Sequence, residues 1–134
     1  MKTDQIRELT RAEEEVMQVL WSLEKGMVNQ ILGRFPGPRP AYNTISTIVR
    51  ILEQKGFVSH KAYGRTHEYF PLISKKEYTR SHFRHFVASY FENSYKSLAS
   101  FFTQDANLSL AELEELQRYI NDGLDQNQKP RENE

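Results

Sequence analysis

The sequence predicts a mainly α-helical protein with a small β-hairpin wing, in which a winged helix-turn-helix domain precedes a region of further helices. Three observations lead to this fold class. Residues 40–57 form a helix with one apolar stripe, the pattern beyond them changes from helical to extended, and three Ser/Thr-x-x-Glu capping boxes mark helix starts elsewhere. We therefore divide the chain into a winged domain at 1–73, a helical domain at 74–124 and a polar disordered tail at 125–134.

The composition is that of an ordinary globular protein, with 134 residues of which 38% are hydrophobic. No apolar run approaches the roughly 18 residues of a membrane-spanning helix, and the first residues lack the apolar core of a signal peptide. We therefore expect a cytoplasmic protein that does not insert into a membrane. The sequence contains no cysteine, which excludes disulfides, thiol catalysis and thiolate metal sites.

The elements before the apolar-striped helix are predicted from their start and stop signals. The first helix should follow the capping box Thr10/Glu13 and run to about Leu23. A short second helix is expected over 29–35, and the proline-rich stretch 36–40 should turn the chain into the third helix.

The third helix has an apolar side and a polar side. The apolar stripe is formed by Ile45, Ile48, Val49 and Leu52. The other side carries short hydrogen-bonding side chains and one arginine, namely Asn43, Thr44, Ser46, Thr47 and Arg50. Such side chains can read base edges, so we predict that this helix lies in the major groove of DNA. There Arg50 should contact a phosphate, and Tyr42 a phosphate or a thymine methyl group. A plain solvated helix face is the alternative.

The stretch after the third helix predicts a β-hairpin. Two extended segments, 57–63 and 67–72, flank a turn that contains Gly64. In a winged helix-turn-helix the hairpin lies against the phosphate backbone, so Lys61 and Arg65 are predicted to contact phosphates.

The charge distribution favours a nucleic-acid contact although the net charge of the chain is zero. Residues 25–80 carry ten Lys and Arg against three Glu, an excess of seven positive charges, whereas residues 81–134 carry five Lys and Arg against nine acids. The basic excess favours DNA over the competing hypothesis, a winged-helix protein-interaction module without specific DNA binding.

The region after the hairpin predicts helices that pair two copies of the chain. Apolar side chains recur at helical spacing on both sides of a break at 92–94, and the last helix is expected to stop at Gly123. A few short helices cannot bury these rows internally, so we predict a homodimer whose two-fold symmetry matches two DNA half-sites. The predicted dimerisation residues are Phe83, Phe86, Val87, Tyr90, Phe91, Leu98, Phe102, Leu110, Leu113, Leu116 and Ile120.

Three blocks of the sequence resemble a known family. They are LTRAEEEVM from Leu9 with Leu20-Trp21, AYNTI from Ala41 with Thr47, Leu52 and Lys55-Gly56-Phe57, and Leu108-Ser109 with ELEEL from Glu112. In this order and spacing they resemble the penicillinase-repressor family, the BlaI, MecI and CopY group, over about residues 9–120. The resemblance implies a dimeric winged-helix transcriptional repressor that binds an inverted-repeat operator.

The resemblance also implies how repression ends. In the copper-responsive branch cysteine pairs bind metal, and the absence of cysteine excludes that mechanism here. In the β-lactam branch a membrane sensor signals and an Asn-Phe bond is cleaved by a protease. The corresponding pair here is Phe101-Phe102, which lacks the asparagine. We therefore expect a repressor released by an unidentified signal, with a membrane sensor or a protease as the implied partner.

An enzyme or a metalloprotein is the third interpretation, and the sequence does not favour it. His82 and His85 stand at i and i+3, but no acidic or third ligand lies at a motif spacing around them, and no HExxH box or glycine-rich phosphate loop occurs. We expect no metal and no cofactor. His82 and His85 are interpreted as surface or interface residues, and His60 and His67 as hairpin positions.

Overall fold

The computed structural model describes residues 6–127. In that range the helices are α1 (Arg11–Leu23), α2 (Val28–Gly33), α3 (Tyr42–Gln54), α4 (Lys75–Tyr90), α5 (Tyr95–Gln104) and α6 (Leu110–Asn127). The strands β1 (Val58–Tyr63) and β2 (Thr66–Pro71) pair antiparallel. Three helices followed by a hairpin confirm the predicted winged helix-turn-helix fold.

Capping boxes start three of the helices, as predicted. Thr10 Oγ1 accepts a hydrogen bond from the N–H of Glu13 at 3.2 Å, and the Glu13 carboxylate accepts one from the N–H of Thr10 at 2.9 Å. The same reciprocal pair joins Ser74 with Glu77 before α4 and Ser109 with Glu112 before α6. Each box satisfies two N–H groups that a helix start would leave without partners.

The core of the winged domain lies between α1, α2, α3 and the hairpin. Side chains from every one of these elements are fully buried: Val16, Met17 and Leu20 on α1, Ile31 on α2, Ile45, Val49 and Leu52 on α3, and Val58 on β1. The predicted apolar stripe of α3 is confirmed, with Ile48 partly buried at its edge. Burial of this stripe fixes which side of α3 faces outward.

An isolated β-bridge between Gly26 and Tyr69 connects the hairpin to the loop after α1. Gly26, just after α1, donates its N–H to the carbonyl of Tyr69 at 2.9 Å and accepts from the N–H of Tyr69 at 2.8 Å. At the other end of the hairpin Tyr63 pairs with Thr66, and Gly64 in the turn adopts φ +66°, a conformation that glycine enters without a steric penalty.

The chain divides into two compact units inside α4, the first ending at His85, whereas the predicted domain division falls at residue 73. The start of α4 belongs with the winged unit because Tyr78 is buried there. Its ring lies 5.9 Å from that of Trp21 and 5.8 Å from that of Phe57, and its hydroxyl accepts a hydrogen bond from the N–H of Leu9 at 3.0 Å.

The second unit contains the end of α4 with α5 and α6. The predicted break at 92–94 is observed, and Glu92 and Asn93 adopt φ of 51° and 63° there. The expected stop at Gly123 is not observed, since α6 continues to Asn127. One interior glycine costs a helix only about 1 kcal/mol, which is too little to end it. The predicted disordered tail thus begins with three helical residues, and 128–134 lie outside the described residues.

An ion pair joins the start of α1 to the end of α3. Lys55 Nζ donates to Glu13 Oε1 at 2.7 Å, and the side chains of Lys55 and Glu13 are only 17% and 7% exposed. Burial alone would raise the pKa of Glu13, but the hydrogen bonds that its carboxylate accepts from Lys55 and Thr10 outweigh burial and lower this pKa. The same carboxylate therefore caps the start of α1 and holds the end of α3.

We predict that Lys55→Met lowers the free energy of unfolding by about 2 kcal/mol at pH 7, because it leaves the Glu13 carboxylate buried without its cation. A group with a lowered folded-state pKa stabilises the fold above its unfolded pKa and loses this effect as the pH falls through the folded one. The deficit of Lys55→Met should therefore shrink once the pH drops below about 4.3, the ordinary glutamate value.

Urea unfolding followed by circular dichroism at pH 7 and at successively lower pH measures both effects. The matched control is Lys76→Met, which removes an exposed lysine from α4 and should change stability by less than about 0.5 kcal/mol. Equal stability of the two variants at pH 7 would show that the Glu13–Lys55 pair contributes nothing to the fold.

Candidate nucleic-acid interface

Helix α3 exposes to solvent four of the five residues that were predicted to form its polar side. Asn43, Thr44, Thr47 and Arg50 are exposed, and Ser46 is half-buried at the flank. We call these five residues the polar face of α3. The three buried residues Ile45, Val49 and Leu52 lie on the opposite side, so the helix cannot rotate without exposing its apolar stripe.

The first turn of α3 has no side-chain cap and carries an exposed aromatic ring. Ala41 precedes the helix in an extended conformation and supplies no side-chain cap, while its carbonyl accepts hydrogen bonds from the N–H groups of Thr44 and Ile45. The ring of Tyr42, the first helical residue, is 48% exposed. A helix start of this kind has a positive electrostatic end and favours a negatively charged group nearby.

Arg50 is held along the surface of its own helix. Its Nε donates a hydrogen bond to the carbonyl of Ser46 at 3.2 Å, one turn earlier. This bond orients the guanidinium toward the N-terminal half of α3 while the side chain stays exposed. A planar guanidinium in this position can donate to a phosphate or to a guanine.

The wing carries two exposed cations, as predicted. Lys61 lies on β1, with its ammonium 5.3 Å from the centroid of the Tyr63 ring, and Arg65 lies in the turn beside Gly64. We call Lys61 and Arg65 the wing cations. An ammonium above an aromatic ring is attracted by the ring face, which limits the positions that this long side chain samples.

A polar surface pocket of about 320 Å³ lies where α2, α3 and the hairpin meet. Polar side chains from all three elements line it, and we define this wing pocket by Asn29, Tyr42, Ser46, Arg65 and His67. Three of these residues belong to the predicted site. The structure adds Asn29 and His67, which the sequence analysis did not assign to it. The position of His67 follows from the register of the hairpin. A turn next to Gly64 pairs Ala62 with His67, so His67 lies on the same side of the hairpin as His60.

The basic excess of residues 25–80 is partly used inside the fold. Lys55 is paired with Glu13, and Glu53 Oε2 lies 2.7 Å from His60 Nδ1. Burial raises the pKa of Tyr69, the nearby Glu53 raises it further, and Arg50 opposes both effects, so this hydroxyl stays protonated at neutral pH. The cations that remain exposed include Arg50 and the two wing cations.

The structure brings an acid to the two histidines of α4, which the sequence spacing did not reveal. Glu8 places one carboxylate oxygen 3.1 Å from His85 Nδ1 and the other 3.5 Å from His82 Nδ1. All three side chains remain roughly half exposed. Among residues 6–127, no three His, Cys, Asp or Glu side chains are grouped so that they could hold a metal ion. Within the same range, no helix combines the length and the apolar character needed to cross a bilayer.

Most of the predicted dimerisation residues lie on the surface of the single chain. No residue of α5 or α6 is buried, and Tyr90, Leu110 and Ile120 are 74%, 74% and 62% exposed. Partly buried members are Phe91, Leu98 and Leu113. Val87 differs from the rest because it is fully buried within the chain, so its side chain is not available for a second copy. The helical spacing of apolar residues in the sequence does not distinguish a side chain that is buried within the chain from one that faces a second copy.

The aromatic side chains of the second unit form a cluster. The ring centroid of Phe91 lies 5.7 Å from that of Phe86 and 5.7 Å from that of Phe101, and the rings of Phe86 and Tyr90 are 5.1 Å apart. These distances are typical of attractive aromatic pairs. The cluster joins the end of α4 to α5 and still leaves large parts of its rings exposed.

Comparison with known proteins gives one family and several relatives. A family model described as penicillinase repressor matches residues 9–122. The chain is 27% identical over 115 residues to the methicillin resistance regulatory protein MecI of Mammaliicoccus sciuri, covering 85% of this chain and 94% of that protein. It is 26% identical over 116 residues to the penicillinase repressor of Bacillus licheniformis, with coverage of 86% and 91%. The solution structure of monomeric Bacillus licheniformis BlaI in complex with the blaP half-operator aligns with a TM-score of 0.47 at 30% identity, over 58% of this chain and 94% of that one.

Proposed function

Since this chain belongs to the penicillinase repressor family, we propose that it is a transcriptional repressor that binds an inverted-repeat DNA operator as a homodimer. The observation that carries the proposal is the rotational setting of α3. This helix buries its apolar stripe and turns its polar face outward, beside a hairpin that carries the wing cations. Such a surface suits the major groove and the flanking phosphates. In this proposal the protein is a cytoplasmic transcriptional regulator and not an enzyme.

Within this function the residues of the interface have separate roles. Asn43, Thr44 and Thr47 lie in the first two turns of α3, where a recognition helix meets base edges. Tyr42 and Ser46 lie beside them in the wing pocket, at the rim of the groove. Arg50 and the wing cations contact backbone phosphates, which fix the position of the protein along the duplex.

The direct experiment selects bound sequences from a random pool of DNA duplexes. Enrichment of a motif with two-fold symmetry is the expected result, with half-site centres separated by about 34–36 Å, one turn of the double helix. Failure to enrich any motif would favour the winged-helix protein-interaction module instead.

We predict that Arg50→Ala weakens binding to the selected duplex at least about tenfold and reduces the slope of log affinity against log salt by about 1.8, the value of one phosphate contact in each subunit of the dimer. Random and selected duplexes should lose affinity alike, because a phosphate contact carries no base information. Fluorescence anisotropy at several salt concentrations measures both quantities.

The matched control is Arg11→Ala, which removes an exposed arginine from the first residue of α1, outside the basic segment. It should bind as the wild type does. An Arg50→Ala protein that loses affinity for the selected duplex but not for random duplexes would assign this arginine to a base instead of a phosphate.

Dimerisation is proposed from the exposed apolar surface of the second unit. At 100° per residue, Leu110, Leu113, Leu116, Ile120 and Leu124 fall within one arc of α6. Four of them are exposed, Leu110, Leu116, Ile120 and Leu124. Monomeric proteins rarely leave a continuous apolar row of this kind uncovered. A second copy of the same helix covers it and pairs two polar faces for two half-sites.

We predict that Ile120→Glu weakens the dimer by roughly 30-fold or more, because it places a charge in the centre of the apolar arc. Light scattering should show a mass near twice 15.8 kDa for the wild type and near 15.8 kDa for the variant. The control Ala111→Glu adds the same charge on the opposite side of α6 and should remain dimeric. A dimeric Ile120→Glu protein would move the interface away from this row.

The route by which repression ends also remains a proposal. The pair Phe101-Phe102 lies inside α5, where the backbone is helical, and the ring of Phe101 contacts that of Phe91. Proteases prefer exposed loops over intact helices. Cleavage at this pair by a signal-activated protease therefore requires α5 to open first, which makes the stability of α5 the quantity that an inducing signal has to change.

A further inference from the structure

A pair of stacked histidines lies behind the wing pocket and has no role in the function derived so far. The rings of His60 and His67 are 4.1 Å apart and inclined by only 9°. His60 lies on β1 opposite Tyr69, and His67 lies on β2 opposite Ala62, so both side chains leave the hairpin on the same side. Stacking at this distance holds the His67 ring in one orientation although the residue is exposed.

The two rings face different surroundings. His60 Nδ1 lies 2.7 Å from Glu53 Oε2 on α3, and both of these side chains are about one-third exposed. His67, the other residue of the stack, lines the wing pocket with Tyr42, Ser46 and Arg65. His60 is therefore held by Glu53, whereas His67 borders the surface that faces DNA in the proposed function.

Resting on that proposed function, we propose that the wing pocket binds one backbone phosphate of the operator and that His67 takes up a proton when it does so. Arg65, Tyr42 and Ser46 supply one charged and two hydroxyl donors for the phosphate oxygens. Deprotonated His67 contributes no charge to this contact, whereas protonated His67 adds a second positive charge beside Arg65. The repressor then binds DNA more tightly as the pH falls.

The physical basis is linkage between the proton and the phosphate. A phosphate in the pocket places a negative charge beside the His67 ring and favours its protonated form. By reciprocity, a protonated ring favours the phosphate by the same factor. Histidine side chains in general change charge between about pH 5 and 8, which sets the pH values at which DNA binding is compared.

Charged and titratable groups lie around the stack on several elements. From α3 they are Tyr42, Arg50 and Glu53, from the hairpin Arg65 and Tyr69, and from α2 the wing pocket receives only uncharged side chains. Glu53 contacts His60 and is not among the residues that line the pocket. Lys61 and Glu68, paired in the hairpin, point to its opposite side. The histidines do not form a metal site, because no group of three donors able to hold a metal occurs among the described residues.

The test measures the affinity of wild-type protein and of His67→Gln for the duplex recovered by random-pool selection, at pH 7.5 and at pH 5.5. Relative to His67→Gln, the wild type should gain at least about fivefold in affinity between the two pH values, the lower end of typical coupling factors. Its affinity should also fall more steeply with salt at pH 5.5 than at pH 7.5, since protonated His67 adds a positive charge to the phosphate contact that Arg65 makes. In His67→Gln the slope should be the same at both pH values.

The control His82→Gln changes a histidine on α4 that contacts Glu8, and it should retain the pH dependence of the wild type. A second measurement needs no protein variant. In duplexes with phosphates replaced by uncharged methylphosphonate at equivalent positions of both half-sites, one pair of positions should abolish the pH dependence of wild-type binding while neighbouring pairs leave it intact.

The outcomes separate this proposal from the function on which it rests. If wild type and His67→Gln bind the duplex with the same pH dependence and no methylphosphonate position alters it, the histidine proposal is overturned and the repressor function stands. If neither protein binds the duplex at either pH, it is the DNA-binding function that fails.

Discussion

The burial of one stripe of α3 is the constraint on which the proposed site depends. Ile45, Val49 and Leu52 have no exposed surface, and removing any one of them from the core would cost several kcal/mol by the usual cavity effect. Because side chains recur every 100°, this burial alone decides that Asn43, Thr47 and Arg50 face outward. In the proposed complex the DNA-facing surface is thus fixed by buried residues that do not touch DNA, and the Glu13–Lys55 pair secures the far end of the same helix.

The hairpin depends on the helices in a comparable way. Two strands alone are marginal in water, and this pair gains support from the Gly26 bridge and from the buried ring of Tyr69. Tyr69 therefore lies at a junction, because its backbone joins the loop after α1 while its ring lies 5.7 Å from His60 and 6.2 Å from His67. Tyr69 also lines the wing pocket, and its raised pKa keeps the hydroxyl protonated near neutral pH.

What could be predicted from the sequence is what short-range pattern determines. The three capping boxes, the stripe of α3 and the Gly64 hairpin depend on residues within a few positions of one another, and all are observed. Contacts between residues far apart in the chain left no such pattern. Lys55 meets Glu13 across 42 residues and His85 meets Glu8 across 77, so neither pair was anticipated. Of the residues that define the wing pocket, Tyr42, Ser46 and Arg65 were predicted as DNA contacts, whereas Asn29 reaches the pocket from a different helix and left no sequence signal. Helix α6 continues past Gly123 because helix propensity is a weak signal.

Because no residue of α5 or α6 is buried, the proposed dimer links the lifetime of the protein in a cell to its concentration. Helices that are covered only by a second copy gain their stability from association, so that stability rises with protein concentration. In the proposed dimer, dilute chains would hold loosely packed C-terminal helices and would be degraded faster than abundant ones. Abundance and lifetime would then reinforce each other, and a repressor that falls below the concentration of its dimerisation equilibrium would disappear abruptly instead of gradually.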